Sequence, residues 1–196
     1  MISKIVVSFV LLITFSNYLT MYSAYQKNDE QVLFKEFADD GTFPNSKYPV
    51  IVYKDKIDFS KKNGPTAVEV LFQKNGWGNS WRNGIYSYHH YHSTAHEVLG
   101  VYSGSADVML GGETKGESFH IEKGDVVLIP AGVAHKKLSS SDDFRVVGAY
   151  PEGQSWDMNY GKEGERPAAD KNISKVPYPQ NDPVDGESGP LQDYWK

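Results

Sequence analysis

Four side chains that can hold a metal ion lie in two short stretches of this sequence. His90 and His92 are one residue apart, Glu97 follows five residues later, and His135 comes just after a Pro130-Ala131-Gly132 turn. Three neutral imidazoles and one carboxylate suit a divalent transition ion such as Mn, Fe, Ni or Zn. Four donors do not fill an octahedral ion, so the remaining positions can hold water or a substrate. A His-x-His pair taken alone is more often a surface or core feature, so these residue types permit one divalent transition metal bound by the four residues without requiring it.

The tyrosines that precede the histidines are predicted to line the pocket beside this metal. Residues 85–92 are predicted to form a strand, and side chains alternate between the two faces of a strand. Tyr86, Tyr88, His90 and His92 therefore point to one face. Bulky residues fill a barrel interior whatever its chemistry, so Tyr86 and Tyr88 are predicted to line the substrate pocket and not to be catalytic groups.

His96 is the candidate catalytic residue. It directly precedes Glu97, at the mouth of the next predicted strand. This position is compatible with a role as an acid, a base or a group that orients a metal ligand. The alternative interpretation is a structural histidine that takes no part in the chemistry.

The elements that must position these residues follow a two-residue hydrophobic period from Gly84 onward. Short β-rich runs are separated by glycine, proline and serine turns, and many short strands at such spacing indicate an antiparallel sandwich or barrel. The predicted strands are residues 50–53, 85–92, 97–102, 106–110, 117–121, 125–129, 134–138 and 144–150.

One helix is predicted before the strands, and an irregular segment after them. Pro65 suits the first turn of a helix and Gly76 suits its carboxy-terminal cap, which predicts a helix over residues 65–74. Residues 151–196 hold six of the ten prolines. This segment is predicted to wrap the barrel as irregular chain, with only its end fraying. Its expected apolar anchors are Trp156, Tyr160, Tyr178, Leu191, Tyr194 and Trp195.

Composition limits the class of protein. With 196 residues the chain is expected to form one domain. The net charge of −5 has the wrong sign for following a phosphate backbone, so no nucleic-acid partner is expected. The sequence has no cysteine, which excludes disulfides, cysteine nucleophiles and cysteine-bound metals. Any metal must be held by His, Asp or Glu.

The amino-terminal segment is predicted to direct the chain out of the cytoplasm. Lys4 precedes an unbroken run of nine weakly polar or apolar residues, 5–13, as in a secretory signal. Residues 1–24 are interpreted as a signal peptide or an uncleaved membrane anchor, and the alternative is a buried first element of the fold. A secreted or membrane-anchored protein is expected, with a single domain over residues 31–196 and its motif-bearing core over 84–150. Membrane contact would come only through residues 1–24.

The spacing of these residues resembles the two sequence motifs of the cupin superfamily. The first motif combines a glycine, a His-x-His pair, a glutamate and a second glycine, and the second combines a glycine, Pro-x-Gly and a histidine. The matching residues are Gly84, His90, His92, Glu97 and Gly104, then Gly124, Pro130, Gly132 and His135. One position departs from the second motif, because Ser139 stands where an asparagine is usual.

Longer segments are similar to the YjlB-like group of single-domain cupins. They are residues 37–44, 75–82, 148–153 and 166–170, and the similarity extends from about residue 34 to the end. The resemblance implies an all-β fold, the double-stranded β-helix or jelly-roll barrel, capped here by one short helix. It also implies a homodimer.

The resemblance leaves the reaction open. Cupins with this ligand set include oxidases, decarboxylases, dioxygenases and isomerases, so the first hypothesis is a metal-dependent enzyme acting on a small anionic or sugar-like molecule. The second is a non-catalytic module that binds a small ligand outside the cell, and the third is a structural or storage protein. Placement of His96 and Lys137 relative to the metal discriminates the first from the second.

Overall fold

The computed structural model describes residues 31–61 and 64–196. The predicted signal or anchor over residues 1–24 lies outside this range. Within the described residues, no helix combines the length and apolar character needed to cross a bilayer.

Two antiparallel sheets make up the domain. The larger has six strands in the order β1-β2-β7-β4-β9-β3, and the smaller has the order β6-β5-β8. The described strands are β1 (Val32–Phe37), β2 (Ser46–Tyr53), β3 (Trp77–Asn83), β4 (Glu97–Ser103), β5 (Ser105–Leu110), β6 (Glu117–Glu122), β7 (Val126–Ile129), β8 (His135–Ser140) and β9 (Arg145–Pro151). The described helices are α1 (Pro65–Lys74), α2 (Ala168–Ile173) and α3 (Pro190–Tyr194). The all-β class and the helix α1 are confirmed.

The inner core lies between the two sheets. Val52 and Leu99 of the large sheet pack in one buried cluster with Val108 and Ile121 of the small sheet. Alternation along each strand sends every second side chain into this core. The two sheets remain separate ladders joined by the shared core, which is the double-sheet form of a jelly roll.

The outer face of the large sheet is also covered. Ile51 and Val98 point away from the inner core and pack with Phe72 of α1 and with Leu191 and Trp195 near the end of the chain. Both faces of the sheet are buried, so its central strands are continuous apolar runs, such as 126–129. The end of the chain was predicted to fray. It is instead packed as far as Trp195, which is only 1% exposed.

The structure corrects several predicted elements. Residues 85–92 do not form a regular strand; isolated bridges pair His90 with His135 and Tyr91 with Asn159. Strand β3 was not predicted, because its sequence WGNSWRN lacks alternation and is rich in residues that disfavour strands. Strand β1 at the sheet edge and the short helices α2 and α3 were also not predicted.

Candidate metal centre

A pair of backbone hydrogen bonds brings His90 and His135 together. The His135 amide donates to the His90 carbonyl over 2.9 Å, and the His90 amide donates back over 3.2 Å. The imidazole centroids of the two residues lie 4.0 Å apart. His135 begins β8, so this bridge attaches the irregular segment that carries His90 and His92 to the small sheet.

The large sheet supplies the carboxylate. Glu97 is the first residue of β4, and its Oε2 lies 3.2 Å from His135 Nε2 and 3.5 Å from His92 Nε2. One nitrogen each from His90, His92 and His135 lies within 4.8 Å of the other two. All four side chains are buried. The structure therefore brings together every residue that the sequence predicts as a metal ligand.

Backbone carbonyls orient the three imidazoles. The Nδ1 atoms of His90, His92 and His135 lie 3.2, 2.6 and 3.2 Å from the carbonyl oxygens of Tyr88, Asp157 and Val133, respectively. A carbonyl can only accept, so each Nδ1 carries the hydrogen and each Nε2 presents a lone pair. The Nε2 atoms of His92 and His135 thereby face the Glu97 carboxylate, and a ring nitrogen of His90 lies within 4.8 Å of theirs.

The donor set fits a divalent cation. Glu97 Oε2 is buried, and its polar neighbours are the Nε2 atoms of His92 and His135, neither of which forms a satisfied hydrogen bond with it. A buried anionic oxygen that faces nitrogen lone pairs is unfavourable unless a cation or a proton lies among them. Three imidazoles and one carboxylate are ligands that transition-metal ions prefer, so the four side chains fit a metal centre.

The pKa values of these groups reflect the same environment. Burial and the adjacent His135 lower the pKa of His90 to about 3, so His90 is neutral. Burial opposes charge on His92, but the Glu97 carboxylate outweighs it and raises the pKa of His92. Burial alone would raise the pKa of Glu97, yet His92 and His135 hold it well below its usual range. Without a metal, one proton on His92 can balance the carboxylate.

Tyr150 of the adjacent strand β9 supports the carboxylate, and Trp81 of β3 supports Tyr150. The Tyr150 hydroxyl donates to Glu97 Oε1 over 2.9 Å, and the Trp81 indole N–H donates to that hydroxyl over 2.9 Å. Burial and the nearby Glu97 raise the pKa of Tyr150, so the phenol keeps its proton. The Tyr150 contact is not predicted from the sequence, because it joins residues 53 positions apart.

A cavity of about 200 Å³ opens beside the cluster. Tyr86 lines it, as predicted from the sequence, although its side chain is presented by an irregular segment. Tyr88 is not among the lining residues; its ring stacks on Tyr86 with centroids 4.8 Å apart and is 45% exposed. The remaining lining residues are Trp81, Arg82, Asn83, Gly84, Ile85, His90, His92, Glu97, Leu99, His135, Tyr150, Trp156 and Met158.

His96 does not reach this cavity, and its predicted catalytic position is corrected. Its ring lies 4.8 Å from that of Trp195, and its Nδ1 accepts a 3.0 Å hydrogen bond from the Ala131 amide. Consecutive residues of an extended chain point to opposite sides, so His96 faces away when Glu97 faces the histidines. Burial lowers the pKa of His96 to about 3, which keeps it neutral.

Comparison with known proteins places this architecture in a family. A family model described as Cupin matches residues 81–151, the part of the chain that holds all four predicted ligands. The uncharacterized protein YjlB of Bacillus subtilis (strain 168) is 46% identical over 160 residues, covering 81% of this chain and 93% of that protein. The chain belongs to the cupin superfamily. Within it, this cupin is YjlB-like.

Solved structures show weaker likeness to this cupin. Procruciferin, the 11S globulin of Brassica napus, is 14% identical, with a TM-score of 0.37 over 64% of this chain and 31% of that one. A mutant of Bacillus subtilis oxalate decarboxylase is 16% identical, with a TM-score of 0.36 over 64% of this chain and 30% of that one. The chain thus spans about a third of the length of these proteins.

The cupin motif residues have local structural reasons in this chain. Gly132 has a φ of 94°, and a Cβ there would lie 2.2 Å from the Asn45 carbonyl oxygen, so only glycine fits the turn before His135. At the position where the motif usually has asparagine, the Ser139 hydroxyl donates to Asp107 of β5 over 2.8 Å. The departure therefore keeps a polar contact to the neighbouring strand.

Proposed function

We propose that this cupin is a metal-dependent enzyme acting on a small molecule that binds beside the metal. The observation that carries the proposal is the convergence of three oriented imidazoles and the buried Glu97 carboxylate at the wall of a 200 Å³ cavity. His90, His92, Glu97 and His135 would hold one divalent transition ion. When bound, such an ion supplies Lewis-acid polarisation of substrate oxygens.

The residues around the ligands have separate tasks in this proposal. Carbonyl groups fix the imidazoles, and Tyr150 holds one oxygen of Glu97 so that the other faces the histidines. A divalent ion and one carboxylate leave a single net positive charge, which favours an anionic ligand that offers two oxygens. Oxalate-type dicarboxylates and sugar acids are the first candidates on charge alone.

A non-catalytic binding module is the second candidate function. His96 faces away from the cavity, and Lys137 is not a lining residue; its Nζ donates to the Ser140 hydroxyl over 2.9 Å. Neither of the two predicted proton-transfer groups is therefore available to the ligand. Acid or base catalysis would fall to the Tyr86 hydroxyl, because the Tyr150 hydroxyl is bonded to Glu97. A purely structural metal, as in a storage protein, is the least favoured reading because it requires no cavity.

The experiment that tests the proposal measures the metal content of the protein first and its turnover of candidate substrates second. Purified protein is loaded separately with Mn, Fe(II), Ni or Zn, and the bound metal is quantified by elemental analysis. Oxalate and sugar acids are then titrated into each form while oxygen uptake, carbon dioxide release and isomer formation are followed. Turnover supports the enzyme, whereas binding without turnover supports the second candidate. Failure of every metal to bind stoichiometrically overturns the proposal.

We also propose that the protein works outside the cytoplasm. The support is the charge and hydropathy pattern of residues 1–24 in the sequence. Fractionation of cells that produce the full-length chain is the direct test. Recovery of all the protein in the cytoplasmic fraction would contradict this proposal without bearing on the metal centre.

A further inference from the structure

Two aromatic rings in the cavity keep much of their surface exposed. Tyr86 is 47% exposed and Trp156 is 39% exposed, although both line the cavity. The Tyr86 ring lies 5.3 Å from that of His90, and the Trp156 ring lies 6.5 Å from that of His92. The cavity therefore presents flat apolar surface beside two of the three histidines.

Both rings are held in place by stacking. Trp156 lies nearly parallel to Tyr150, with centroids 4.5 Å apart and planes 9° apart. Tyr86 stacks on Tyr88 with centroids 4.8 Å apart and planes 18° apart. Each ring has one face covered by protein, which leaves the other for a ligand. A ring already held by stacking loses little conformational entropy when a ligand binds against it.

Apart from the Asn83 side-chain amide, the rest of the cavity offers little to a polyhydroxylated ligand. Ile85, Leu99 and Met158 are apolar lining residues. Arg82 uses its Nε and Nη2 on the two carboxylate oxygens of Glu69, each over 2.7 Å, so its charge is already balanced. A sugar acid would exchange several hydrogen bonds to water for apolar contacts, which is unfavourable. An aromatic ring has no such hydrogen bonds to water to give up.

The Trp81 and Tyr150 polar groups are similarly committed. The indole N–H of Trp81 donates to the Tyr150 hydroxyl, which donates to Glu97. Both side chains therefore present mainly apolar surface to the cavity. We infer that the ligand of this site is an aromatic chelator, an anion with two neighbouring oxygens at the metal end and an aromatic ring lying against Tyr86 and Trp156. This inference rests on the proposed function, because the metal end requires the ion.

Mandelate and glycolate test the inference as a matched pair. Both carry the same 2-hydroxycarboxylate, and only mandelate carries a phenyl ring. The full-length protein, with its metal content established by elemental analysis, is titrated with each acid and followed by calorimetry and tryptophan fluorescence. Mandelate is expected to bind at least about tenfold more tightly than glycolate, the preference that stacking and burial of one ring typically give. Equal or weaker binding of mandelate overturns the inference.

Two variants locate the source of the preference. Trp156→Ala is expected to lower the ratio of mandelate to glycolate affinity at least about threefold while glycolate still binds. Tyr194→Ala, which removes an exposed ring stacked on Phe34 at the end of the chain, is expected to leave the ratio unchanged. An unchanged ratio in Trp156→Ala and in Tyr86→Ala overturns the assignment of the ring to these walls.

The outcomes separate this inference from the proposed function. Stoichiometric metal with glycolate binding but no mandelate preference leaves the metal centre standing and overturns only the aromatic ligand. Absence of metal, or of any effect of metal on the binding of either acid, overturns the proposed function and the inference with it.

Discussion

The hydroxyl of Tyr150 donates a 2.9 Å hydrogen bond to Oε1 of Glu97, while Oε2 of the same carboxylate faces the histidines. The two residues lie on the adjacent strands β9 and β4, where Val98 pairs with Ala149. Pairing of these strands thus places the phenol beside the carboxylate. The contact divides the two oxygens of Glu97 between the protein and the proposed metal.

Tyr150→Phe is predicted to weaken metal binding by about tenfold or more, because groups that orient a ligand typically contribute 10- to 100-fold to affinity. The substitution removes the hydroxyl while keeping the ring that stacks on Trp156. Competition with a chromophoric chelator gives the affinity. Tyr88→Phe is the matched control, since Tyr88 lies outside the cavity lining. Equal affinity in the two variants would show that Glu97 needs no support.

His90→Ala and His135→Ala are each predicted to abolish stoichiometric metal binding. Each change removes one of the three clustered nitrogen donors. Elemental analysis after identical chelator treatment and reloading gives the metal content. His120→Ala serves as the control, because His120 is exposed and pairs with Asp107 over 2.8 Å. Full metal content in both ligand variants would place the site elsewhere.

Metal occupancy is predicted to fall as the pH drops below about 6. A histidine must be neutral to bind a metal, and the Glu97 carboxylate raises the pKa of His92 despite its burial. A raised pKa lets a proton compete for His92 at a higher pH than for an ordinary imidazole. His90, with a pKa of about 3, stays neutral throughout. Equilibrium dialysis at subsaturating metal, with circular dichroism to verify folding, measures the effect; constant occupancy from pH 7 to 5 would refute it.

Trp195→Ala is predicted to lower the free energy of unfolding by about 3–5 kcal/mol. The indole is 1% exposed, stacks on Tyr48 with centroids 5.1 Å apart, and donates to the Pro49 carbonyl over 2.8 Å. Urea denaturation measures the change. The neighbouring substitution Tyr194→Ala should cost about 1 kcal/mol, because this ring is half-exposed. A similar cost for both would mean that the end of the chain is not anchored by Trp195.

A homodimer is predicted in solution. Both sheets have edge strands, β1 and β3 in the large sheet and β6 and β8 in the small one, and edges of this kind are commonly covered by a partner. Sedimentation velocity of the protein at micromolar concentration gives the state of association. A single monomeric species would contradict the prediction.

The sequence identifies the metal donors better than it explains their placement. Strand alternation predicted that His90 and His92 share a face, but residues 85–92 are irregular. Their convergence comes from the bridge between His90 and His135 and from the carbonyl groups behind each ring. The motif spacing identifies which residues converge, but it does not show the backbone contacts that bring them together.

The features that the sequence analysis misplaced or missed also have local causes. His96 is adjacent to Glu97 in sequence, yet the same alternation rule places adjacent side chains on opposite faces. Tyr150 ends a correctly predicted strand, but its role depends on which strand lies beside β9, and a single sequence does not contain that pairing. Trp195 and Tyr194 were both expected to anchor the carboxy-terminal segment, but composition does not reveal which apolar side chains are buried: Trp195 is 1% exposed and Tyr194 is 52% exposed.

Asp157 connects the wall of the cavity to the metal centre. Its carbonyl accepts from His92 Nδ1 over 2.6 Å, and Trp156 is its immediate neighbour along the chain. The backbone that carries the ring at position 156 is therefore the backbone that holds His92 in place. A change that displaces this stretch of backbone would therefore move His92 as well, so ligand preference and metal affinity are expected to be coupled through residues 156 and 157.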